Sequence, residues 1–279
     1  MPFMRLRIVL CKTDNNRMNP ISGLCGELCG EETRMKWELK ELEDAVRNTH
    51  GAQYADAIHE PLQSFAWKSD MAYFHACEAE QILKEAVATT PGINDHDRQS
   101  IAIGKAVIFS AAPGEAGQLL RLAQFRAESH IIASAQALHS LCDIVCHVVY
   151  WAYQLDTVPN APAPNRLNLY STLRSLNALP QYATTASLIQ AVVDSPEFTY
   201  LAAYVNTTKH KSLISSSMSA SFGPEDRGGI RIKSFSYIDP VGNHHHFDSK
   251  WAYDFLFQEN QSVRLKLVAV GKSLNDQFT

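Results

Sequence analysis

The sequence predicts a mainly α-helical protein, a helical bundle with one long central helix and a small antiparallel β-hairpin before the C-terminal helix. The first observation is a helical pattern over residues 115–155, without proline and without glycine after Gly117, which corresponds to about 60 Å of helix. The second is a change to alternating apolar and polar residues between positions 215 and 238. The third is a return to helical periodicity over residues 249–275, with most of one face apolar.

Three helices are expected before the central one. Residues 36–48 place apolar side chains three and four positions apart among charged ones, which is typical of an amphipathic surface helix. Residues 69–88 and 97–112 show helical periodicity as well, and the first of these begins at Ser69, a residue type that favours helix N-caps. Turn residues between positions 91 and 95 separate these two helices.

Proline residues at 159, 162 and 164 end the central helix and form a short linker. Residues 167–179 and 184–193 then predict two helices. A third begins at Pro196, with Ser195 as its N-cap, and extends to about residue 213. Strands at 215–222 and 230–238 predict a hairpin within about residues 215–247. The histidine run at 244–246 is interpreted as the exit of a hairpin turn, with metal binding as a minor alternative.

Composition limits the class of protein. The chain has 279 residues, of which 46% are hydrophobic and 19% charged, so it can build a sizeable core, and disordered or fibrous classes are excluded. The formal net charge is -4, so nucleic-acid binding would need a local basic patch. The most apolar stretch, residues 144–155, is too short for the roughly 30 Å of a bilayer core. We expect no membrane span and a cytoplasmic location.

Met35 divides the chain into two regions. Residues 1–34 have no sustained helical period and predict an N-terminal extension, whereas residues 35–279 predict a single helical domain. Six cysteines are spread along the chain without a secretion signal, which favours reduced thiols over a disulfide framework. These cysteines are Cys11, Cys25, Cys29, Cys77, Cys142 and Cys146.

Residues 204–213 carry the strongest functional signal. On a helix, Asn206 and His210 lie four positions apart and project from the same side, while Lys209 and Lys211 add two cations. This set predicts a phosphate site, with His210 as a candidate general acid or base and Asn206 as the residue that orients it. The alternative is helix capping, because the helix dipole favours Lys and His near a C-terminus.

This segment, the long central helix and the order of elements resemble the HEPN superfamily of small helical proteins. The resemblance covers about residues 115–215 and, in outline, 36–279, and it is closest to bacterial members with an Asn-x-x-Lys-His helix. It implies an all-α bundle, frequent homodimers and, in active members, a metal-independent ribonuclease of toxin–antitoxin, phage-defence or RNA-processing systems. In those members an Arg, usually followed by a polar residue, precedes the His by four to six positions.

The match to that motif is incomplete. His210 occupies the His position and Asn206 the polar position, but Val205 stands where active members have the Arg. The planar fork of an Arg would bind the scissile phosphate, and valine has no such group. Lys209 and Lys211 are the alternative sources of charge.

The central helix carries two further candidate groups. Arg126 and His130 lie four positions apart and predict a second phosphate or nucleotide site, with an exposed structural pair as the alternative. His139, Asp143 and His147 share another stripe and predict a polar helix seam. A closed zinc site needs four ligands, and no second cluster completes this set, so we expect no metal.

Three hypotheses for the function remain open. The first is a noncatalytic HEPN-like module that binds a nucleotide, RNA or a protein partner in a bacterial defence or regulatory system, as a homodimer and without a cofactor. The valine at the Arg position favours it. The second is a metal-independent endoribonuclease with His210 as general acid or base. The third is a metal-binding helical protein that uses His139, Asp143 and His147.

Overall fold

The computed structural model describes residues 37–278, apart from positions 95, 225, 240 and 241. Eight α-helices and a small set of antiparallel strands within this part confirm the predicted mainly α-helical class. The predicted extension, residues 1–34 with Cys11, Cys25 and Cys29, lies outside the described residues. The helices are α1 (Leu39–His50), α2 (Ala52–Ala88), α3 (Gln99–Ala111), α4 (Glu115–Ala152), α5 (Leu169–Asn177), α6 (Ala183–Val193), α7 (Pro196–His210) and α8 (Asn260–Phe278).

Helix α4 is the predicted central helix, and its 38 residues extend for about 57 Å. It packs along α2, which has 37 residues. Ser134 Oγ donates a 2.7 Å hydrogen bond to the carbonyl oxygen of Ala72 and joins the two helices near their middle. The C-terminal half of α4 is the centre of the core, with Leu138, Leu141, Val145 and Val149 all buried. The pair α2 and α4 therefore forms the scaffold on which the shorter elements pack.

Helix α2 is longer than the sequence predicts, because it begins at Ala52 and not at Ser69. Ser69 is buried inside the helix, where its Oγ accepts a 2.7 Å hydrogen bond from Nε of Arg264 on α8. The helix also contains Pro61, a residue that normally interrupts helices, and buried apolar side chains on both sides of it offset that cost. Ser69, which is expected from the sequence to cap a helix, instead joins α2 to α8 through this hydrogen bond.

Helix α8 packs against α1 and against the central helix α4. Its Gly271 lies directly under the ring of Trp37, so that a Cβ at that position would come within 2.2 Å of the ring. Trp37 Nε1 donates a 2.9 Å hydrogen bond to Oδ1 of Asn275, whose Nδ2 donates a 3.0 Å hydrogen bond to the carbonyl oxygen of Glu38. The last described helix therefore holds the residues that precede α1.

Helix α7 begins as the sequence predicts. Ser195 is its N-cap and accepts a 3.3 Å hydrogen bond from the N–H of Phe198, while Pro196 occupies the first helical position. The carboxylate of Glu197 in the first turn accepts a 3.3 Å hydrogen bond from Nζ of Lys266 on α8. The N-terminal half of α7 is therefore fixed by its cap and by a neighbouring helix.

The single predicted hairpin is instead two small antiparallel sheets. The strands are β1 (Ser216–Ser221), β2 (Arg227–Ile232), β3 (Phe235–Ile238), β4 (His244–Phe247) and β5 (Lys250–Trp251). One sheet has the order β1-β2-β5, and β3 pairs with β4 in the other. The predicted strand 230–238 is divided at Lys233 and Ser234, where the chain passes from the first sheet to the second. The histidine run does follow the hairpin turn, as predicted, and forms most of β4.

The C-terminal helical region begins later than position 249 and is irregular at its start. Trp251 belongs to β5, and residues Asp254–Glu259 form a π-helical segment before α8. A π-helical segment contains an extra residue per turn, and such segments are frequent at functional sites. Leu256 and Phe257 of this segment lie near residues of β2 and α2, whereas Phe255 contacts Tyr200 and Tyr204 on α7.

Among the described helices, α4 is long and apolar enough to cross a membrane by length and composition. Its most apolar 18-residue stretch is 56% buried in the fold. The buried core helix of a globular protein passes the same test, so the length and composition of α4 do not by themselves indicate a membrane protein.

Candidate functional site

The end of α7 presents Lys209, His210 and Lys211 to solvent, and we call these three residues the cationic segment. All three are exposed. The N–H groups of Lys211 and Ser212 both donate to the carbonyl oxygen of Thr207, at 3.0 and 3.1 Å, and end the helix three residues earlier than predicted. The cations also lie where the helix dipole favours them, so part of their effect is to stabilise the helix.

The sequence predicts that Asn206 orients His210, but no hydrogen bond joins the two side chains in the described structure. Asn206 is half-buried, and within the part of the chain that the structure describes, His210 has no hydrogen-bond or ion-pair partner. Val205, which the resemblance aligns with an Arg, is completely buried in the core and faces away from solvent. The segment therefore presents an imidazole without an arginine beside it and without a side chain that orients it.

The β3–β4 hairpin adds an aromatic ring to the cationic segment. Nζ of Lys211 lies 4.9 Å from the centre of the Tyr237 ring, within the range of a cation–π interaction. Tyr237 is opposite His245 in the β3–β4 pairing, and Nε2 of His245 lies 3.1 Å from Oδ2 of Asp239. A cation that can bind phosphate and a ring on which a base can stack are thus neighbours.

Lys209 is also close to the polar seam that the sequence predicts on α4, formed by His139, Asp143 and His147. Burial, and secondarily the positive charge of Lys209, lowers the pKa of His139 to about 4, so this imidazole is neutral at pH 7. Its ring stacks on that of Phe198, with centres 6.4 Å apart. Desolvation raises the pKa of Asp143 even though the residue is exposed at the surface, and the charges of Lys209 and His147 oppose that rise. The seam is therefore a contact between α4 and α7.

The polar seam does not gather into a metal site. Among the described residues, no group of three or more His, Cys, Asp or Glu side chains is arranged to hold a metal ion. Cys142 and Cys146 on the same helix are buried, and burial raises the pKa of both thiols, that of Cys146 to about 12. Metal ions bind the thiolate, which these surroundings disfavour. The described residues thus provide no ligand set for the metal-binding hypothesis.

The second predicted pair, Arg126 and His130, is divided between two environments. Arg126 is exposed, whereas Nδ1 of His130 lies 2.9 Å from Nδ1 of His75 on α2. Phe74 contacts both imidazoles edge-on, and burial lowers the pKa of His75, with the charge of His130 acting in the same direction. His130 therefore joins α4 to α2, and within the described residues no hydrogen bond or ion pair joins it to Arg126.

The structure contains a pocket that the sequence analysis missed, here called the β2 pocket. Its volume is about 190 Å³, and it lies between α2, the start of α3, α4, strand β2 and the irregular start of the C-terminal helical region. Ala79 and Ile131 belong to its apolar wall. The signals in the sequence were a Gly-Gly pair inside a strand and a tryptophan before the last helix. Its larger polar and aromatic lining residues are Glu80, Gln99, Arg227, Trp251, Tyr253 and Phe257.

Charged side chains hold the wall of the β2 pocket in place. The guanidinium of Arg227 donates two hydrogen bonds to the carboxylate of Asp254, one through each terminal nitrogen. The guanidinium carbons of Arg227 and Arg231 lie 5.3 and 5.6 Å from the centre of the Trp251 ring. Nζ of Lys84 lies 3.3 Å from Oε1 of Glu80. These contacts fix the side chains of the pocket wall.

Two candidate sites are therefore present in the described structure, the exposed cationic segment at the end of α7 and the β2 pocket. The first was predicted from consecutive residues, and the second is assembled from distant ones. Comparison of the chain with protein-family models, with curated proteins and with solved structures finds no match.

Proposed function

We propose that this protein is a noncatalytic, HEPN-like module that binds RNA or a nucleotide through the cationic segment. The observation that supports the proposal is the pair of exposed lysines, Lys209 and Lys211, beside the ring of Tyr237. Lysines supply the charge that binds phosphate, and an aromatic ring supplies a stacking surface, the two features that binding of single-stranded nucleic acid combines. The resemblance adds a bacterial defence or regulatory system as the setting.

The surroundings of His210 favour binding over catalysis. A catalytic imidazole needs an orienting hydrogen bond and a group that stabilises charge on the phosphate. No hydrogen bond joins Asn206 to His210 in the described structure, and Val205 is buried at the position that the resemblance aligns with an Arg. An exposed imidazole beside two lysines suits phosphate binding, which requires charge but no fixed geometry.

The test measures the salt dependence of RNA binding. A fluorescein-labelled oligouridine is titrated with the protein at several salt concentrations, and fluorescence anisotropy reports the affinity. Each lysine–phosphate contact contributes a slope of about -0.7 to the plot of log affinity against log salt for a single strand. The double variant Lys209→Ala/Lys211→Ala is therefore expected to bind more weakly and to have a slope smaller by about 1.4.

The matched control removes two lysines elsewhere on the protein. Lys40 on α1 and Lys68 on α2 are changed to alanine, which leaves the same net charge as the first double variant. We expect this control to retain the slope of the unmodified protein. Equal losses of RNA affinity in both double variants would show that binding depends only on net charge, and they would contradict the proposal.

A cleavage assay in the presence of EDTA separates the module from a metal-independent ribonuclease. We expect the oligouridine and a longer structured RNA to remain intact. Cleavage that is lost in His210→Ala and retained in Lys40→Ala would contradict the noncatalytic proposal and favour the ribonuclease hypothesis.

The proposal includes a homodimer, as the resemblance implies. A two-fold dimer has two cationic segments, which would raise the affinity for an RNA long enough to contact both. Sedimentation velocity at micromolar concentration should give the mass of two chains, and a monomer mass at every concentration would remove this part of the proposal.

A further inference from the structure

The β2 pocket has an open strand edge on one wall. Lys233 N–H donates to the carbonyl oxygen of Ser215 at 3.0 Å, and because hydrogen-bonded pairs alternate in an antiparallel ladder, the backbone groups of Gly228 and Ile230 face away from β1. On that side β5 pairs with β2 only at Arg231 and Ile232. No other described strand covers the edge beside Gly228 and Ile230, and both residues line the pocket.

The charges in the β2 pocket favour a neutral ligand. The guanidinium of Arg227 is matched by the carboxylate of Asp254, and the carboxylate of Glu80 is matched by the ammonium of Lys84. An added cation would meet the guanidinium of Arg227, which lines the pocket and lies over the Trp251 ring. An added anion would meet Glu80. Neither sign of charge is favoured, whereas a neutral molecule meets both hydrogen-bond donors and acceptors.

Size and shape narrow the ligand class further. A volume of about 190 Å³ is below the roughly 300–1,000 Å³ of pockets for drug-sized ligands, so the pocket accommodates a small ring system. The rings of Tyr253 and Phe257 supply aromatic surface in the pocket, with their centres 4.9 Å apart. A planar heterocycle with polar groups along its edge matches flat walls and an open strand edge.

We propose that the β2 pocket binds a purine base, and that it prefers guanine because the Glu80 carboxylate can accept hydrogen bonds from two adjacent N–H groups on one edge of that base. A carboxylate is an acceptor only, and guanine presents its ring N–H and its amino group side by side. Gln99 and the backbone of Gly228 and Ile230 supply the donors for the remaining acceptors. This site is separate from the cationic segment and does not depend on it.

Titration calorimetry with guanosine, adenosine and choline tests the proposal on the full-length protein. We expect saturable binding of guanosine with one site per chain, weaker binding of adenosine and no binding of choline. Replacement of Glu80 by glutamine, Glu80→Gln, should weaken guanosine binding about tenfold, since it replaces hydrogen bonds to a charged group by neutral ones, and should change adenosine binding little.

Two further variants complete the experiment. Glu85→Gln removes the same charge from an exposed position of α2 that does not line the pocket, and it should bind guanosine like the unmodified protein. Ala79→Leu fills the apolar wall and should abolish binding, with circular dichroism to show that the variant is folded. The proposal is overturned if guanosine does not bind saturably, if Glu80→Gln and Glu85→Gln bind it equally, or if choline binds instead.

The purine site and the proposed RNA-binding function can fail separately. The double variant Lys209→Ala/Lys211→Ala should keep its affinity for guanosine while it loses affinity for oligouridine. If that variant loses both affinities to the same extent, the pocket is not an independent site and the proposal made here is wrong.

Discussion

The cationic segment and the β2 pocket differ in how the fold produces them. The segment consists of three consecutive residues at an exposed helix end. Lys211 contacts the Tyr237 ring, and Lys209 lies near His139 and Asp143 of α4. The pocket brings together residues from α2, α3, α4, β2 and the segment that follows β5, and it is held by ion pairs and stacked rings. An exposed site made of consecutive residues can therefore be recognised in the sequence. A concave site made of distant residues can be recognised only once the tertiary fold is known.

The largest loss of stability is expected from a substitution of Val205, which is buried beneath the cationic segment. Val205→Arg introduces the residue that the HEPN resemblance implies for an active member, but it places a charge at a completely buried position. We expect a loss of about 3–5 kcal/mol in the free energy of unfolding, because an uncompensated buried charge is strongly destabilising. Urea denaturation followed by circular dichroism measures it. Asn206→Arg, one residue further on at a half-buried position, is the control and should lose much less. A fully stable Val205→Arg variant would show that position 205 reaches solvent.

The second-largest loss of stability is expected from a substitution in the wall of the β2 pocket. Arg227→Ala leaves the carboxylate of Asp254 without its two guanidinium hydrogen bonds, at a site where the two side chains are only 25% and 23% exposed. We expect a loss of about 2 kcal/mol, typical of hydrogen bonds to charged groups. Arg231→Ala removes only a stacking contact on Trp251 and should cost less than half as much. Equal losses from the two variants in thermal denaturation would show that stacking, and not the ion pair, holds the wall.

The polar seam links the cationic segment to the core and gives a pH dependence. The pKa of His139 is about 4 in the folded protein and near 6.5 in an unfolded chain, so between these values the unfolded chain binds more protons. Stability from this residue is therefore lost as the pH falls from about 6.5 to 4, by at most about 3 kcal/mol and by less where solvent screens the ring. The raised pKa of Asp143 acts in the opposite direction.

The variant His139→Gln removes the titrating group and keeps a polar side chain. Its urea midpoint should change less between pH 7 and pH 4.5 than that of the unmodified protein. If the urea midpoint of the variant falls between pH 7 and pH 4.5 by as much as that of the unmodified protein, other groups cause the acid sensitivity. Replacing His210 in the same way is a useful comparison, because that residue is exposed.

The smallest effect on stability is expected at the centre of the cationic segment. His210→Ala removes an exposed side chain that has no hydrogen-bond partner among the described residues, and its free energy of unfolding should stay within about 0.5 kcal/mol of the original. A loss above about 1 kcal/mol in urea denaturation would indicate that His210 supports the helix end, which would weaken its assignment to ligand binding.

Local signals along the chain predicted much of the helical fold. The N-cap Ser195 with Pro196 is a position where residue type determines the backbone, and helix α7 begins there. The predicted stop at the proline run is wrong, because the central helix ends at Ala152, before Gln154 adopts a left-handed backbone conformation. Ser69 misled the prediction because a serine is equally suited to accept a hydrogen bond from Arg264 inside a helix. Whether a serine caps a helix or is buried inside one depends on its tertiary neighbours, and the local sequence pattern carries no information about them.

The candidate site was predicted only in part, for a related reason. Periodicity correctly placed His139, Asp143 and His147 on one stripe of α4, but it could not show that Lys209 from α7 lies beside them. It also could not show that His130 pairs with His75 on another helix. The predicted strand 230–238 is divided between two sheets, a division that depends on tertiary strand pairing. Because β5 pairs with β2 only at Arg231 and Ile232, the rest of that edge of β2 stays unpaired beside the pocket.

The contact between Trp37 and α8 also constrains the order in which the protein folds during synthesis. Trp37 donates its hydrogen bond to Asn275, which lies 238 positions later in the chain, and its ring rests on Gly271. At about 5–20 residues per second, a ribosome needs on the order of ten to fifty seconds to add that length. Throughout this interval the indole ring lacks its final packing partner, so the growing chain exposes a large aromatic surface that a chaperone can bind until α8 emerges.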